Sequence, residues 1–391
     1  MTTASSRPAA RRRLLLAGIV ILAALLRVWA AWQLPVDFDE PVYLRAGFDY
    51  AALMRTGQLA AVVDDPLNGE HPPLVKLSYA VGILSLGKEA GWSQALFVSR
   101  GISAAFGVLA VFLLALVDPL AGGLLAVQTL VIKYTSQAYL EALPLAAGLA
   151  ALLALRRAAA ARAWAGWPWL SAVCLGLAAA GKLIYPLLFL PPLLAIAAGE
   201  RHRPRRKAAA YAGLALLTFW LFDPALWHDP LGRLAGQLQF YGRYATGAAV
   251  QMSGYPWYQP LLWLSSNWPA RWHPQVFLYY GLDAVIFWAA AAGLWHEWRD
   301  RRWLVIWLAT GVAVLLVWPT KWPQYTVALA PAFCLAAAAS LRRARAWSAE
   351  QADYWPWVRE LVPRPSPFFL IAPLAIVLAL AAFYAGNKIQ A

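Results

Sequence analysis

The 391-residue chain is 61% hydrophobic and only 13% charged, with 22 tryptophans, and its apolar residues gather in runs of about 20, the length that crosses a bilayer. A soluble fold is excluded: a single buried core stops growing beyond about 250–300 residues, whereas helices in a bilayer satisfy their backbone internally. The formal net charge of +14 suits nucleic acid at first sight, but its distribution follows the positive-inside pattern, so no nucleic-acid partner is expected.

The first element is the run Leu14–Leu34, preceded by Arg11–Arg13. It exceeds a signal-peptide apolar region of about 7–15 residues and ends in Trp29 and Trp32, which suit an interface. A retained first span with a cytoplasmic N-terminus is expected. Further apolar runs cover 74–87, 96–117, 119–132, 141–155, 169–182, 183–198, 208–222, 276–294, 303–317, 327–341 and 368–384. Basic clusters at Arg11–Arg13, Arg156–Arg162, Arg201–Lys207, Arg299–Arg302 and Arg342–Arg345 read as cytoplasmic, so an even number of spans must separate each from the next. Only the first interval breaks this rule, with five candidate runs. Leu74–Gly87 is short for a span and is interrupted by Lys76 and Ser78; laid on the outer surface, it leaves eleven spans. The expected class is an all-α polytopic membrane protein in one domain, 1–391, with a first outer loop at 35–93 that carries surface helices and a second large outer loop at 227–275. Arg27 and Asp283 stand out inside spans, where each is expected to reach an interface or pair within the bundle. Cys174 and Cys334 lie in apolar runs without metal-ligand spacing, and no disulfide is expected.

This topology puts most of the 19 acidic residues outside: Asp37, Asp39, Glu40, Asp49, Asp64, Asp65, Glu70, Glu89, Asp223 and Asp229, with Glu141 at a span mouth. The stretch LPVDFDEPVYLRAG, Leu34–Gly47, opens the first outer loop with three carboxylates in four residues. On a helix Asp39 and Tyr43 share a face, while Glu40 is turned away by about 100°. Asp37 is the expected N-cap. Further on, Pro72-Pro73 in HPPLVKL starts another helix. The second large outer loop carries Trp227, Tyr241, Tyr244, Tyr255, Trp257, Tyr258, Trp263, Trp268 and Trp272, and headgroup anchoring and sugar stacking both fit these rings. His228, Asp229 and Asp223 lack a third partner at ligand spacing. Trp347, Tyr354, Trp355, Trp357 and Val358 read as an amphipathic cytoplasmic segment.

Five stretches in order carry a resemblance: Asp39-Glu40-x-x-Tyr43; His71 to Leu77 (HPPLVKL); SQAYLEALPLAAGL with Glu141; Gly181-Lys182; and PTKWPQYTVALAP with Lys321, Tyr325 and Pro331. Together they resemble the GT-C class of membrane glycosyltransferases, nearest in pattern to protein O-mannosyltransferases and aminoarabinose-type bacterial transferases. The resemblance implies the GT-C fold, a polyprenyl-phosphate sugar donor, a hydroxyl acceptor on protein, glycan or lipid, and an outward-facing cavity. It assigns Asp39, beside Glu40, as base or acceptor-orienting carboxylate, which fits the need of a hydroxyl nucleophile for a nearby proton acceptor. Lys182, Lys321 and Lys133 fall at outer membrane edges, where they either hold the leaving phosphate or snorkel. Tyr43, His71, Glu141 and Tyr325 are expected around the cavity. His71 before Pro72-Pro73 follows the O-mannosyltransferase pattern, where aminoarabinose-type members carry lysine, and this tilts the acceptor away from lipid A. The resemblance makes a divalent cation at Asp39, Glu40 and Glu141 conceivable, but the second-loop Asp-x-Asp is absent and no metal is expected. The chain ends soon after its last run, so acceptor recognition is expected from loops or a partner. A transporter or flippase, and a non-catalytic envelope scaffold, are the rival readings.

Overall fold

In the computed structural model the described residues are 6–64, 67–161, 166–199, 205–266 and 282–354. The predicted last run at 368–384, Trp268, Trp272, Asp65, and Trp355, Trp357 and Val358 fall outside them. Among the described residues the structure is all helix, with no strand.

The chain opens with α1 (Ser6–Gln33), 28 residues long. Three helices that are not span-length follow: α2 (Glu40–Arg55), α3 (Leu59–Asp64) and α4 (Leu74–Ser85). The 12 residues of α4 reach about 18 Å, short of the roughly 30 Å of a bilayer core. Then come α5 (Trp92–Val117), α6 (Pro119–Val127) and α7 (Thr129–Tyr134). The predicted run 119–132 is therefore not one helix but two. Gln128 leaves helical geometry with ψ 123°, and the buried Asp283 carboxylate accepts from the freed amides of Thr129 (2.8 Å) and Leu130 (3.2 Å). A buried acid thus caps a new helix start, the need that a chain break creates.

The bundle continues through α8 (Ala142–Ala161), α9 (Trp167–Gly181), α10 (Ile184–Ala198) and α11 (Arg205–Phe222). A 3-10 turn at Pro224–Leu226 leads to the amphipathic α12 (Pro230–Ala245), α13 (Ala248–Ser253) and α14 (Gln259–Ser265). It closes with α15 (Leu282–Asp300), α16 (Arg302–Val317), a 3-10 segment Pro323–Leu329 and α17 (Ala330–Tyr354). Four of the described helices, α1, α5, α8 and the Pro323–Trp347 helix, are long and apolar enough to cross a membrane; α4, α9, α10 and α16 are shorter apolar helices. With its repeated apolar helices the chain is a multi-pass membrane protein.

Buried charge organises the packing. Arg27 of α1, fully buried, donates to Thr135 Oγ1 (2.9 Å) and Ala23 O (3.2 Å). Gly107 of α5 makes room for that contact, because a Cβ there would stand 2.6 Å from Thr135 and 2.7 Å from the Arg27 guanidinium. Arg27 and Asp283 therefore bond within the bundle, but not to each other. Basic clusters meet at one end of it. Arg12 donates to Leu116 O, Arg342 pairs with Asp118, Arg343 bridges Glu297 and Asp300, and Arg156 lies over Trp303. The linkers after α1, α7, α9 and α16 join α12 around a single cavity.

Candidate active site

The cavity is about 720 Å³ and mostly apolar, walled by Tyr43, Tyr134, Tyr139, Tyr241, Tyr244, Trp322 and Tyr325. Its charged lining residues are Asp37, Asp39, Glu70, Lys133 and Lys182.

Asp39 stands at the N-cap position of α2, yet its side chain makes no capping bond. Its backbone carbonyl instead accepts from Val42 (3.1 Å) and Tyr43 (3.2 Å), closing the first turn. The carboxylate is thus left facing the cavity. Its pKa is raised to about 6, first by burial; the Lys182 and Lys133 charges work against the shift, and Glu141 and Asp37 add to it. Near neutrality such a group is still about nine-tenths ionised and is a stronger base than an ordinary aspartate.

Glu40, adjacent in sequence, is fully buried and is not on the cavity wall. Arg100 of α5 grips it with two bonds, Nε to Oε1 at 2.8 Å and Nη2 to Oε2 at 2.7 Å. The same guanidinium donates to Ala31 O, Leu34 O and Pro35 O, while Glu40 accepts from the amides of Asp37 and Ala138. The structure places Glu40, expected beside Asp39 at the catalytic position, inside the bundle instead: the helical offset of about 100° from Asp39 turns it away from the cavity and onto Arg100. Arg100 was missed by sequence reasoning, although an arginine inside the run 96–117 is itself a signal that a buried partner exists.

Asp37 is not the cap that the sequence suggested. Its carboxylate pairs with Lys133 of α7, and both side chains are buried. Lys182, between α9 and α10, pairs with Glu141, and its ammonium lies 5.3 Å from the Tyr325 ring centre. Glu141 is fully buried behind Lys182 and does not reach the wall expected of it. Lys321 is also displaced from its expected place. Its ammonium caps the end of α16, donating to Leu315 O (3.0 Å), Leu316 O (2.9 Å) and Trp318 O, and it is not among the lining residues. A helix C-terminus leaves carbonyls without partners, and a cation satisfies them.

Tyr43 and Tyr325 line the cavity as expected, and so does His71. Burial pushes the His71 pKa well down, with Lys182 and Lys76 adding to the shift, so the imidazole is neutral. Its Nδ1 hydrogen-bonds with the Tyr241 hydroxyl at 3.0 Å, and its ring meets Tyr43 edge-on at 6.0 Å. Glu70, on the wall beside it, was named only as one acid among ten. Nothing in its spacing distinguished it. Of the three acids considered for a divalent cation, Glu40 is held by Arg100 and Glu141 pairs with Lys182, and neither lines the cavity with Asp39. No group of three metal-ligating side chains lies together among the described residues.

No protein-family model and no curated protein matches the sequence. Solved structures do resemble it. ArnT from Cupriavidus metallidurans in the apo state aligns with a TM-score of 0.57 at 17% identity, over 85% of this chain and 61% of that one. The same protein bound to undecaprenyl phosphate aligns at 0.52 and 17% identity, over 97% and 64%. The apo oligosaccharyltransferase of Archaeoglobus fulgidus aligns at 0.52 and 16% identity, over 94% and 55%. The chain thus spans less than two thirds of each of these proteins. At such identities the likeness shows the fold, and the fold is that of the GT-C membrane proteins.

Proposed function

We propose that this GT-C fold transfers a sugar from a polyprenyl-phosphate-linked donor to a hydroxyl acceptor, on the outer face of the cytoplasmic membrane, with Asp39 as base. One observation carries the reading. Among the described residues, Asp39 is a cavity carboxylate with no hydrogen bond to its side chain, between two ammonium groups, Lys133 and Lys182, on separate elements. An undecaprenyl phosphate bound in a structure of the same fold supports the lipid-linked donor. The outer-face placement is supported by the basic clusters, which meet at one end of the bundle while the cavity collects other linkers.

The chemistry follows from those groups. The acceptor oxygen attacks the anomeric carbon as its proton passes to an Asp39 carboxylate oxygen. The bond from the anomeric carbon to the phosphate oxygen breaks, and its electron pair leaves with polyprenyl phosphate. That product gains negative charge, which Lys133 and Lys182 meet as point charges. Because the phosphate leaves without needing a proton, one base suffices and the anomeric centre inverts. The tyrosine-rich wall offers stacking faces for the sugar and excludes water that would compete as nucleophile. Lys321, occupied at the end of α16, takes no part in this reading.

The test is protein reconstituted in liposomes with polyprenyl-phosphate sugars. Released polyprenyl phosphate with sugar transfer supports the reading. Transbilayer lipid movement without release identifies a flippase, and neither activity identifies a scaffold. Asp39→Asn is expected to lower transfer about 10³-fold, within the usual range for a general base, while inserting and purifying normally. Transfer should also fall below pH 6 as Asp39 takes up its proton, with the midpoint near its pKa of about 6. Near wild-type transfer by D39N would remove Asp39 from the mechanism.

A further inference from the structure

The turn Leu67–His71 reaches the cavity through Asn68, Glu70 and His71, and it is wound around one ammonium group. Lys76, in the first turn of α4 and fully buried, donates to Leu67 O (2.9 Å), Asn68 O (2.7 Å) and His71 O (2.9 Å), with Asn68 Oδ1 at 3.3 Å. Asn68 takes a left-handed backbone with φ 53°, a conformation costly for most side chains but tolerated by asparagine. Its amide nitrogen then donates to Glu70 Oε1. The turn is also the contact between two distant parts of the chain. Gly69 O accepts from Gln237 of α12 at 3.2 Å, and His71 meets Tyr241 of the same helix.

This arrangement is a carbonyl-lined cation site whose cation is the chain's own side chain. An ammonium has three donors and no acceptor, and here all three find backbone oxygens. Without the charge, the three carbonyls lose their shared donor in a buried space: Leu67 O is left with the Tyr50 hydroxyl at 3.4 Å, Asn68 O with the His71 amide at 3.2 Å, and His71 O loses its ammonium bond. The turn would have to open, carrying Glu70 and His71 with it.

We propose that Lys76 is a positioning residue of the transfer reaction: protonated, it holds the Leu67–His71 turn in the conformation that presents Glu70 and His71 to the bound substrate. The inference rests on the glycosyltransferase reading above. The charged and titratable groups facing Lys76 are Glu70 and His71 on the turn and Asp223 at the start of the Pro224–Leu226 segment. Burial lowers the Lys76 pKa to about 7, against the opposing pull of Glu70 and Asp223. Burial raises Asp223 to about 7, with Lys76 and the Ala225 amide working against it. The cation therefore loses its proton as pH rises through neutrality, and the turn loses its core.

The test compares wild type, Lys76→Arg and Lys76→Met in the reconstituted transfer assay across about pH 5.5 to 9. Wild-type kcat is expected to fall on an alkaline limb near the Lys76 pKa of about 7, and K76R to lose that limb because a guanidinium stays charged. K76M should lower kcat about 100-fold, the scale of a 1 Å misplacement, with KM moved far less. Hydrogen exchange of the wild-type peptide covering residues 67–76 adds a readout independent of catalysis and of variant folding. Protection of the His71 amide, bonded to Asn68 O at 3.2 Å, should drop across the same pH range. An unchanged alkaline limb in K76R, near wild-type kcat in K76M, or exchange protection flat with pH each overturns the role of Lys76. A wild type inert with every polyprenyl-phosphate sugar, yet showing the pH-dependent loss of protection, overturns the enzyme reading and with it this role in transfer.

Discussion

Replacing Arg100 with methionine keeps most of the side-chain volume and removes the guanidinium that grips Glu40. The loss is large because, among the described residues, no other cation bonds that carboxylate: Glu40 is fully buried, its remaining partners are two backbone amides, and the nearby Lys133 charge is already paired with Asp37. Breaking a buried ion pair from one side costs about 3–5 kcal/mol. Three carbonyls, of Ala31, Leu34 and Pro35, lose their donor as well, so the upper end of that range is expected. A chain of this size moves by roughly 1–2 °C per kcal/mol, extrapolating from smaller domains, which gives a fall in unfolding midpoint of about 4–10 °C. The assay is thermal unfolding in detergent for wild type, Arg100→Met, Glu40→Gln and the double variant. Removing both charges should recover part of the loss, because the neutral amide no longer needs a counter-ion. R100M within 1 °C of wild type, or a double variant no better than R100M, would refute the reasoning about the pair.

Two further outcomes follow from buried charge. Lys182→Met leaves Glu141 buried without its cation, with one of its oxygens already lacking a partner; it should raise the donor KM at least about tenfold and yield less folded protein. Adding Glu141→Gln should restore the yield but not the affinity, as read by size-exclusion profile and initial rates. Asp283→Ala strips the two amide bonds that start α7 and should cost about 1–3 kcal/mol, visible as a lower unfolding midpoint. D283N, which keeps an acceptor oxygen, should lose less.

The parts legible in the sequence are those set by local composition. The lengths of apolar runs locate α1, α5 and α8 closely, because crossing hydrocarbon demands length before anything else. The different surroundings of Asp39 and Glu40 were legible for a similar reason: about 100° apart around a helix, two neighbouring carboxylates face different environments. Long-range pairing was not legible. The break at Gln128 is marked in the run 119–132 by the polar pair Gln128-Thr129 alone, and the acid that stabilises it comes from residue 283. Asp37 reads as a cap from its position before α2, but it is drawn off by Lys133, 96 residues away. Lys321 misleads in the other direction. Its place in PTKWPQY invites a ligand role, while two of the three carbonyls it satisfies belong to the helix just before it and the third to Trp318, which ends that helix. The cavity's tyrosines were partly visible, but Tyr134 and Tyr139 sit in the linker between the runs 119–132 and 141–155.

The Arg100 fork has a mechanical meaning beyond its energy. It holds Leu34 O at one end and the Glu40 side chain at the other, so the residues between them form a strap of fixed length. Asp39 rides on that strap one residue before its anchored end. Adding or removing a single residue between Leu34 and Asp39 would leave both anchor points where they are and force the strap to buckle or stretch. With Glu40 still gripped by Arg100, α2 keeps its rotation and the misfit falls on the strap itself, where it carries Asp39 away from its place on the cavity wall. The count of residues in the strap is therefore constrained as firmly as the identities of Asp37 and Asp39 within it, so this segment resists change in length even where its other side chains admit substitution.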